Sequence, residues 1–497
     1  MTKLQAFYQR TAKLEEFVIL AYAVAVFLPI TYAWIFLIVG LVLYAARAII
    51  EIVLLKRGEE IASSGNGEAC LESKVAETST GSGAGSSGGP SARPSTETST
   101  SGIESGGTQL GTGHGTESVA VPVNQSTGKP ICSIPALTSI NLAPLAIPLL
   151  VFAIAVFISG IFNGGIKEGF SSMSTLRTFL VYFVAYHAFR TSPQLISKTV
   201  VVLLSFGAIA GIWGSIQQIF HYHPFDYPWL QASGFMGMPM AYAGQMAVTA
   251  CLSLALVFTG GFKSVFKNAP LFYMIAACNL AGVFFASERS AWLGMLVATL
   301  VIAWMVSLKT FMRGFLVLIL AGAIAWFTVP VVQTRIVPII NNPKADVGVQ
   351  ARFVIWEKSI EVWKQHPVVG VGARNFPKFD IPEAIVPGKS TMLVHAHSNI
   401  FQILTTMGVI GLLAFVYLEL SSLFVAFKNW RSPLNDAFYS AVALGIFGGV
   451  VSLMVAGFFE YNFGTGHVRL LHWFVLAMLM SHVSLRPAKA LEPPGGK

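Results

Sequence analysis

The sequence has little charge and few cysteines, and each shortage excludes a class of protein. Only 11% of its 497 residues are charged, against about 25% in soluble domains, while 54% are hydrophobic. The mean hydropathy is +0.66. With apolar stretches of about 20 residues, this composition excludes an ordinary soluble domain and is typical of an integral membrane protein.

The four cysteines are Cys70, Cys132, Cys251 and Cys278. Two lie in a polar linker and two in apolar runs, and no pair has metal-ligand spacing, so they predict neither a zinc site nor a disulfide framework. The net charge of +9 raises the possibility of nucleic-acid binding. The basic residues, however, form short clusters between apolar segments, and no nucleic-acid motif is present. We therefore predict no nucleic-acid partner.

Apolar segments predict an all-α, polytopic membrane protein with about twelve transmembrane helices. The first segment lacks a following small-residue cleavage site, which indicates a retained helix and not a signal peptide. The predicted segments are residues 15–29, 32–54, 141–161, 174–189, 199–220, 239–260, 270–286, 290–307, 314–331, 399–427, 434–457 and 467–485.

The distribution of Lys and Arg predicts the orientation. If the N-terminus is cytoplasmic, every cytoplasmic connection is basic, and the short connections on the other side are poor in basic residues. Both termini are therefore predicted to be cytoplasmic. The predicted regions are helices 1–2 in residues 1–56, an insertion at 57–135, helices 3–9 in 136–331, an outer loop at 332–398, helices 10–12 in 399–485 and a tail at 486–497.

Two of these regions are not transmembrane. Residues 57–135 are rich in Gly, Ser and Thr and cannot bury enough apolar surface to offset chain entropy, which predicts a disordered, tolerated insertion. A modified tether is the alternative. The outer loop, 332–398, is too long for a simple connector and is predicted to be functional.

The outer loop contains an amphipathic pattern. Phe353, Trp356, Ile360 and Trp363 recur at helical spacing, which predicts a helix at the membrane surface that Pro367 ends. Two arginines, Arg352 and Arg374, flank this unit, and arginine can hold phosphate oxygens with two donors at once. The glycines of "GVGARNF" lack the full fingerprint of a phosphate-binding loop.

Two histidines, His395 and His397, directly precede an apolar run. Imidazole titrates near neutral pH and so suits proton transfer at an aqueous surface. Ordinary interfacial histidines are the alternative, and metal ligation is disfavoured because no further ligands stand at a recognisable spacing. Arg289 in "FFASERSAWLGM" and Glu460 with Asn462 in "FFEYNFG" are predicted to reach the same side of the membrane.

Four motifs in this order resemble the O-antigen ligase and polymerase superfamily, over about residues 280–470: "SERSAWLG", "ARFVIWEKSIEVWKQHPVVGVGARNF", "HAHSNIFQILTTMGVIGLL" and "FFEYNFG". The resemblance implies a GT-C-like membrane glycosyltransferase at the periplasmic face of the bacterial inner membrane. It implies an undecaprenyl-diphosphate-linked glycan as donor, and a lipid A–core sugar or a growing glycan as acceptor. It implies no cofactor and no metal.

The resemblance also assigns roles by position. Arg289 and Arg352 match family arginines that would stabilise the diphosphate. His397 matches a family histidine that would act as base on the acceptor hydroxyl or hydrogen-bond that hydroxyl into line. Ser398 stands where the family usually has Asn, which weakens any role for an amide there. Further candidates for binding the diphosphate or the acceptor are Arg374, His395, Glu460 and Asn462.

Three functions compete at this point. A ligase is favoured, and a polymerase of O-antigen or exopolysaccharide repeats follows. A transporter is less favoured, because the polar residues gather at one rim and not at the midplane, where transporter sites usually lie.

Overall fold

The computed structural model describes residues 3–63, 143–222, 231–342, 346–381 and 391–484. The chain divides into two units, residues 1–52 with 141–497 and residues 53–140, and all site residues belong to the first. The tail at 486–497 and most of the predicted insertion, from residue 64 onward and including Cys70 and Cys132, lie outside the described residues.

The described residues form fourteen α-helices and one short hairpin. The helices are α1 (Lys3–Ala25), α2 (Ile30–Ser63), α3 (Ala146–Met173), α4 (Leu180–Thr191), α5 (Gln194–Ile219), α6 (Pro239–Thr259), α7 (Ala269–Phe285), α8 (Arg289–Val306), α9 (Leu308–Thr328), α10 (Pro330–Asn341), α11 (Val347–Gln365), α12 (Asn399–Trp430), α13 (Ala437–Ala456) and α14 (Gly466–Ser484). Strands β1 (Phe379–Ile381) and β2 (Thr391–Leu393) pair antiparallel, with Asp380 opposite Met392. Three short 3₁₀ segments are Ser174–Phe179, Gly261–Ser264 and Asn462–Gly464.

The predicted polytopic all-α class is confirmed, and each of the twelve predicted apolar segments falls on a helix. Within the described residues, eight spans are long and apolar enough to cross a membrane. One of them, Ala146–Thr191, covers 46 residues and includes the predicted segment 174–189 and most of the predicted segment 141–161. Helix α7 is a shorter apolar helix. The chain is therefore a multi-pass membrane protein, and the count of twelve crossings stays a prediction.

Two long helices contain breaks that the hydropathy pattern does not reveal. In α3, Gly164 and Gly165 leave helical geometry, and a Cβ on Gly160 would lie 2.7 Å from the Cα of Gly169. The chain therefore doubles back within the predicted outer connection at 162–173. In α12, Gly408 has φ +64° and divides a helix that the sequence predicts as continuous.

The segment after α11 fills the break in α12. The amide of Val371 donates to the carbonyl of Thr405 at 3.0 Å, and the amide of Val409 donates to the carbonyl of Pro367 at 3.0 Å. These bonds satisfy backbone groups that the break releases in an apolar environment, where unpaired groups are costly. They also attach the outer loop to the N-terminal part of α12. This attachment fixes the position of the loop's side chains relative to the residues that precede α12.

Replacing Gly408 by alanine should destabilise this junction by roughly 2 kcal/mol or more. Its backbone is left-handed, and a Cβ would lie 2.3 Å from the backbone carbon of Val368. Gly322→Ala is the matched control, because nothing lies within 4 Å of its Cβ position. Thermal unfolding in detergent measures both variants. Equal melting temperatures for Gly408→Ala and the wild type would show that the junction is not rigid.

Candidate functional site at the outer rim

The start of α11 lies near two of the predicted site residues, Arg289 and Arg352. Asp346 precedes the helix and caps it, accepting from the amide of Val349 at 2.9 Å. The same carboxylate accepts two bonds from Arg289, one from Nη1 at 2.8 Å and one from Nη2 at 3.1 Å. Since Arg289 opens α8, this ion pair joins the outer end of α8 to the loop helix. Arg352 lies one and a half turns further along α11.

Arg352 and His397 meet at one carboxylate. Oxygen Oε2 of Glu460 lies 3.5 Å from Nη2 of Arg352 and 3.4 Å from Nδ1 of His397. Arg352 also donates through Nε to the carbonyl of Phe459 at 3.0 Å and through Nη1 to the carbonyl of Gly348 at 3.1 Å. Three predicted site residues from three separate segments thus form one cluster. We call Arg352, His397 and Glu460 the central triad.

Two hydrogen bonds to the backbone of Ala396 hold the segment that contains His395 and His397. The carbonyl of buried Ala396 accepts from Nε1 of Trp356 at 2.9 Å, and its amide donates to Oε1 of Gln402 at 2.8 Å. His397 has φ +46°, an uncommon conformation for a residue with a side chain. The ring centroids of His395 and His397 lie 4.0 Å apart. Such strain, fixed by two hydrogen bonds, is typical of a functional segment.

Asn462 follows Glu460 by two residues and makes hydrogen bonds with its side chain. Its side-chain oxygen accepts from Nδ2 of Asn399 at 2.7 Å, and its own Nδ2 donates to the carbonyl of Leu453 at 2.8 Å. Ser398, in the place of the family's usual Asn, caps α12 through its hydroxyl. Asn399, one position later, supplies an amide that joins the starts of α12 and the Asn462–Gly464 segment. Asn462 therefore supports the triad's backbone and is buried.

The charges of the cluster determine its protonation. Burial alone would raise the pKa of Glu460, but the hydrogen bond from His397 and the charges of His397, Arg352 and His395 together hold it below its usual value. The hydrogen bond from Arg289 lowers the pKa of Asp346. Burial, reinforced by the charge of His397, lowers the pKa of His395 to about 4. At neutral pH, both carboxylates are ionised and His395 is neutral.

The cluster also contains two residues that were not predicted from the sequence. Glu288 is surrounded by protein although part of the residue is exposed, and this burial, with repulsion from Glu460, raises its pKa to about 7. Arg335, on α10, is half-buried and faces Glu288, Arg289 and Asp346. Glu288 stands beside Arg289 in "SERS", so adjacency gave a signal for it. Arg335 had none beyond its place in the outer loop.

Arg374 lies apart from this cluster. Its guanidinium donates to the hydroxyl of Ser171 near the end of α3. Among the described residues, its contacts do not reach the triad. The nearby glycines Gly370 and Gly372 both have positive φ, as a tight turn requires, and Gly370 lies against the backbone of Thr406. The predicted turn therefore packs against the break in α12.

The sequence shows no further metal ligand at a recognisable spacing from the two histidines, but the structure places a third potential ligand beside them. One ligand atom each from His395, His397 and Glu460 lies within 4.8 Å of the others. Two observations oppose a cation there. The guanidinium of Arg352 lies against the same Glu460 oxygen, and Nδ1 of His395 already accepts from the amide of His397 at 3.3 Å. A divalent ion would have to displace or repel Arg352.

A comparison with known protein families found a match over the part of the chain that holds much of this site. Residues 274–416 match the family model described as O-Antigen ligase. The match supports the O-antigen ligase and polymerase superfamily. The matched segment contains Arg289, Arg352 and His397, whereas Glu460 lies beyond it. No curated protein matches the chain. The match supports a glycosyltransferase-like function of the ligase or polymerase type in general, and that family implies lipid-linked glycan and acceptor substrates.

Proposed function

We propose that the protein transfers a glycan from undecaprenyl diphosphate to a sugar hydroxyl of lipid A–core. The observation that carries the proposal is the central triad beside the Arg289–Asp346 pair. It combines cations that can hold a diphosphate with a base that can take a proton, at the rim where a lipid-anchored donor would present its headgroup. Polymerisation of repeat units is the alternative within the same chemistry.

The proposed transfer is a direct displacement. The acceptor oxygen attacks the anomeric carbon, and the bond from that carbon to the diphosphate oxygen breaks with its electron pair going to the diphosphate. The acceptor proton passes to His397, whose imidazolium form Glu460 stabilises. Attack on the side opposite the leaving group inverts the anomeric centre. The arginines stabilise the charge that develops on the diphosphate.

No metal takes part in this proposal. Diphosphate leaving groups need positive charge, which Arg289 and Arg352 supply at the place where a divalent ion would otherwise be required. His397 must also stay free to accept a proton, which a coordinated nitrogen cannot do. Chelators are therefore expected to leave the rate unchanged.

We also propose that the site faces the periplasm and that both termini face the cytoplasm, as the basic connections indicate. In a background with all native cysteines replaced by serine, Lys364→Cys on α11 should react with an impermeant thiol reagent added to spheroplasts. Lys263→Cys, in the exposed connection between α6 and α7, should react only after lysis. The reverse pattern would invert the orientation and place the site on the cytoplasmic side.

The pKa of Glu288 predicts a pH dependence of donor binding. Its carboxyl, with a pKa of about 7, faces the arginines proposed to bind the diphosphate. A bound diphosphate disfavours its ionised form, so binding takes up a proton and weakens as the pH rises from 6 to 8. A glycan-linked diphosphate is esterified at both ends and does not itself titrate in this range.

Titrating purified protein with this donor at pH 6 and pH 8 measures the effect. Wild type should bind several-fold more tightly at pH 6. His397 faces the same site, so Glu288→Gln isolates the contribution of the carboxyl and should flatten most of the dependence. An unchanged dependence in Glu288→Gln would assign it to another group.

Analysis of the surface glycans of a deletion strain distinguishes the two acceptors. Loss of a ligase leaves polymer on the lipid carrier and core without glycan. Loss of a polymerase leaves core bearing a single repeat. We expect the first pattern, and the second would replace the ligase proposal with the alternative.

A further inference from the structure

In the free protein, the two arginines that the sequence motifs select for the diphosphate, Arg289 and Arg352, already have carboxylate partners. Arg289 makes a two-bond pair with Asp346. Arg352 forms an ion pair with Glu460, which also contacts His397, and it donates two further hydrogen bonds to backbone carbonyls. A guanidinium has five N–H donors in a fixed fork, so each of these contacts reduces what is left for a ligand. An incoming diphosphate would have to compete with both carboxylates.

Arg335 differs from them. Its backbone carbonyl accepts from Nη1 of Arg289 at 3.5 Å, which places α10 directly beside the Arg289–Asp346 pair. Its guanidinium is half-buried, and in the described part of the chain it makes neither a hydrogen bond nor an ion pair within 4.0 Å. A partly buried cation with unused donors is unfavourable unless an anion joins it. Two of the three arginines in the cluster thus pair with carboxylates, whereas Arg335 only faces Glu288, whose pKa is raised to about 7, without forming an ion pair with it.

We propose that Arg335 is the principal ligand for the donor's diphosphate in the ground state, with Arg289 and Arg352 joining as the leaving group gains charge. The proposal rests on the proposed function and assigns its substrate contact to α10. The guanidinium of Arg335 can donate to two diphosphate oxygens without giving up an existing hydrogen bond. Arg289 and Arg352 must loosen their carboxylates first, so their contacts strengthen when negative charge grows on the diphosphate. Such a division uses Arg335 for affinity and the paired arginines for rate.

The test compares two lipids on purified protein in nanodiscs. Undecaprenyl diphosphate and undecaprenyl phosphate differ by one phosphate, so the diphosphate offers the arginine cluster more oxygens and more negative charge than the monophosphate does. Wild type should prefer the diphosphate. Arg335→Gln should weaken diphosphate binding roughly 10-fold to 100-fold and monophosphate binding much less, since charged hydrogen bonds carry effects of that size. Arg335→Lys should recover part of the affinity, because it restores charge without the fork.

Lys364→Gln is the matched control. It removes one positive charge from an exposed position on the same outer loop and should leave both affinities unchanged. In a transfer assay, Arg335→Gln should raise KM for the donor more than it lowers kcat. A merely structural role for Arg335 would lower binding of both lipids equally, or lower kcat alone, and either result would overturn the proposal.

The outcomes separate this inference from the function on which it rests. If wild type binds neither lipid and transfers no glycan, the proposed function fails. If wild type prefers the diphosphate and Arg335→Gln binds it equally well, the function stands and the role of Arg335 is refuted.

Discussion

Replacing His397 by alanine is expected to reduce glycan transfer by roughly 10²–10⁴-fold, the usual effect of losing a proton-transfer group. The substitution removes the only proposed acceptor for the hydroxyl proton. Donor binding should change little, because the arginines remain. A binding titration and an initial-rate assay on purified protein separate the two effects.

Two histidines serve as controls for that experiment. His366→Ala, at the exposed end of α11, should be neutral. His395→Ala should be milder than His397→Ala, since the ring of His395 does not contact Glu460 by hydrogen bond in the structure and its pKa of about 4 makes it a poor proton acceptor at neutral pH. Equal losses in His395→Ala and His397→Ala would point to a joint role, such as shared metal ligation.

Arg289→Ala is expected to cause a loss of similar size, roughly 10²–10³-fold, because it removes charge stabilisation from the leaving group. The variant also leaves Asp346 without its main partner, which would disturb the start of α11. Arg289→Lys should recover little if both donors of the fork are needed.

A double variant separates chemistry from structure at Arg289. If its only task were to hold Asp346, then Arg289→Ala with Asp346→Ala would restore activity relative to Arg289→Ala, because no unpaired carboxylate remains. We expect the double variant to stay inactive while its thermal stability recovers. Recovery of the transfer rate would make Arg289 a positioning residue.

The helices and the polarity of the rim were predictable because apolar periodicity and charge depend only on local sequence. The break between α7 and α8 is an example, since Ser287 to Ser290 interrupt a stretch too long for one crossing. The break at Gly408 was not predictable. A glycine inside an apolar helix pattern is common, and only the loop at 367–372, which lies beside it in space, shows why this one leaves helical geometry.

The site shows the same limit. His397, Arg352 and Arg289 stand in recognisable motifs, so sequence selected them. Their carboxylate partners lie far from them in the sequence and come close only in the folded chain. Asp346 lies 57 residues from Arg289, and Glu460 lies 108 residues from Arg352. Neither spacing has a signature, so the pairing of the arginines, and the free donors of Arg335, appear only in the structure.

Glycan transfer by the purified protein tests the central claim most directly. The protein in lipid nanodiscs would receive a radiolabelled polyprenyl-diphosphate-linked glycan and lipid A–core in the presence of EDTA. We expect label to move onto the core in wild type and to stay on the polyprenyl carrier in His397→Ala. Label that stays on the carrier in wild type, or moves only after a divalent ion is restored, would contradict a metal-free transferase at this site.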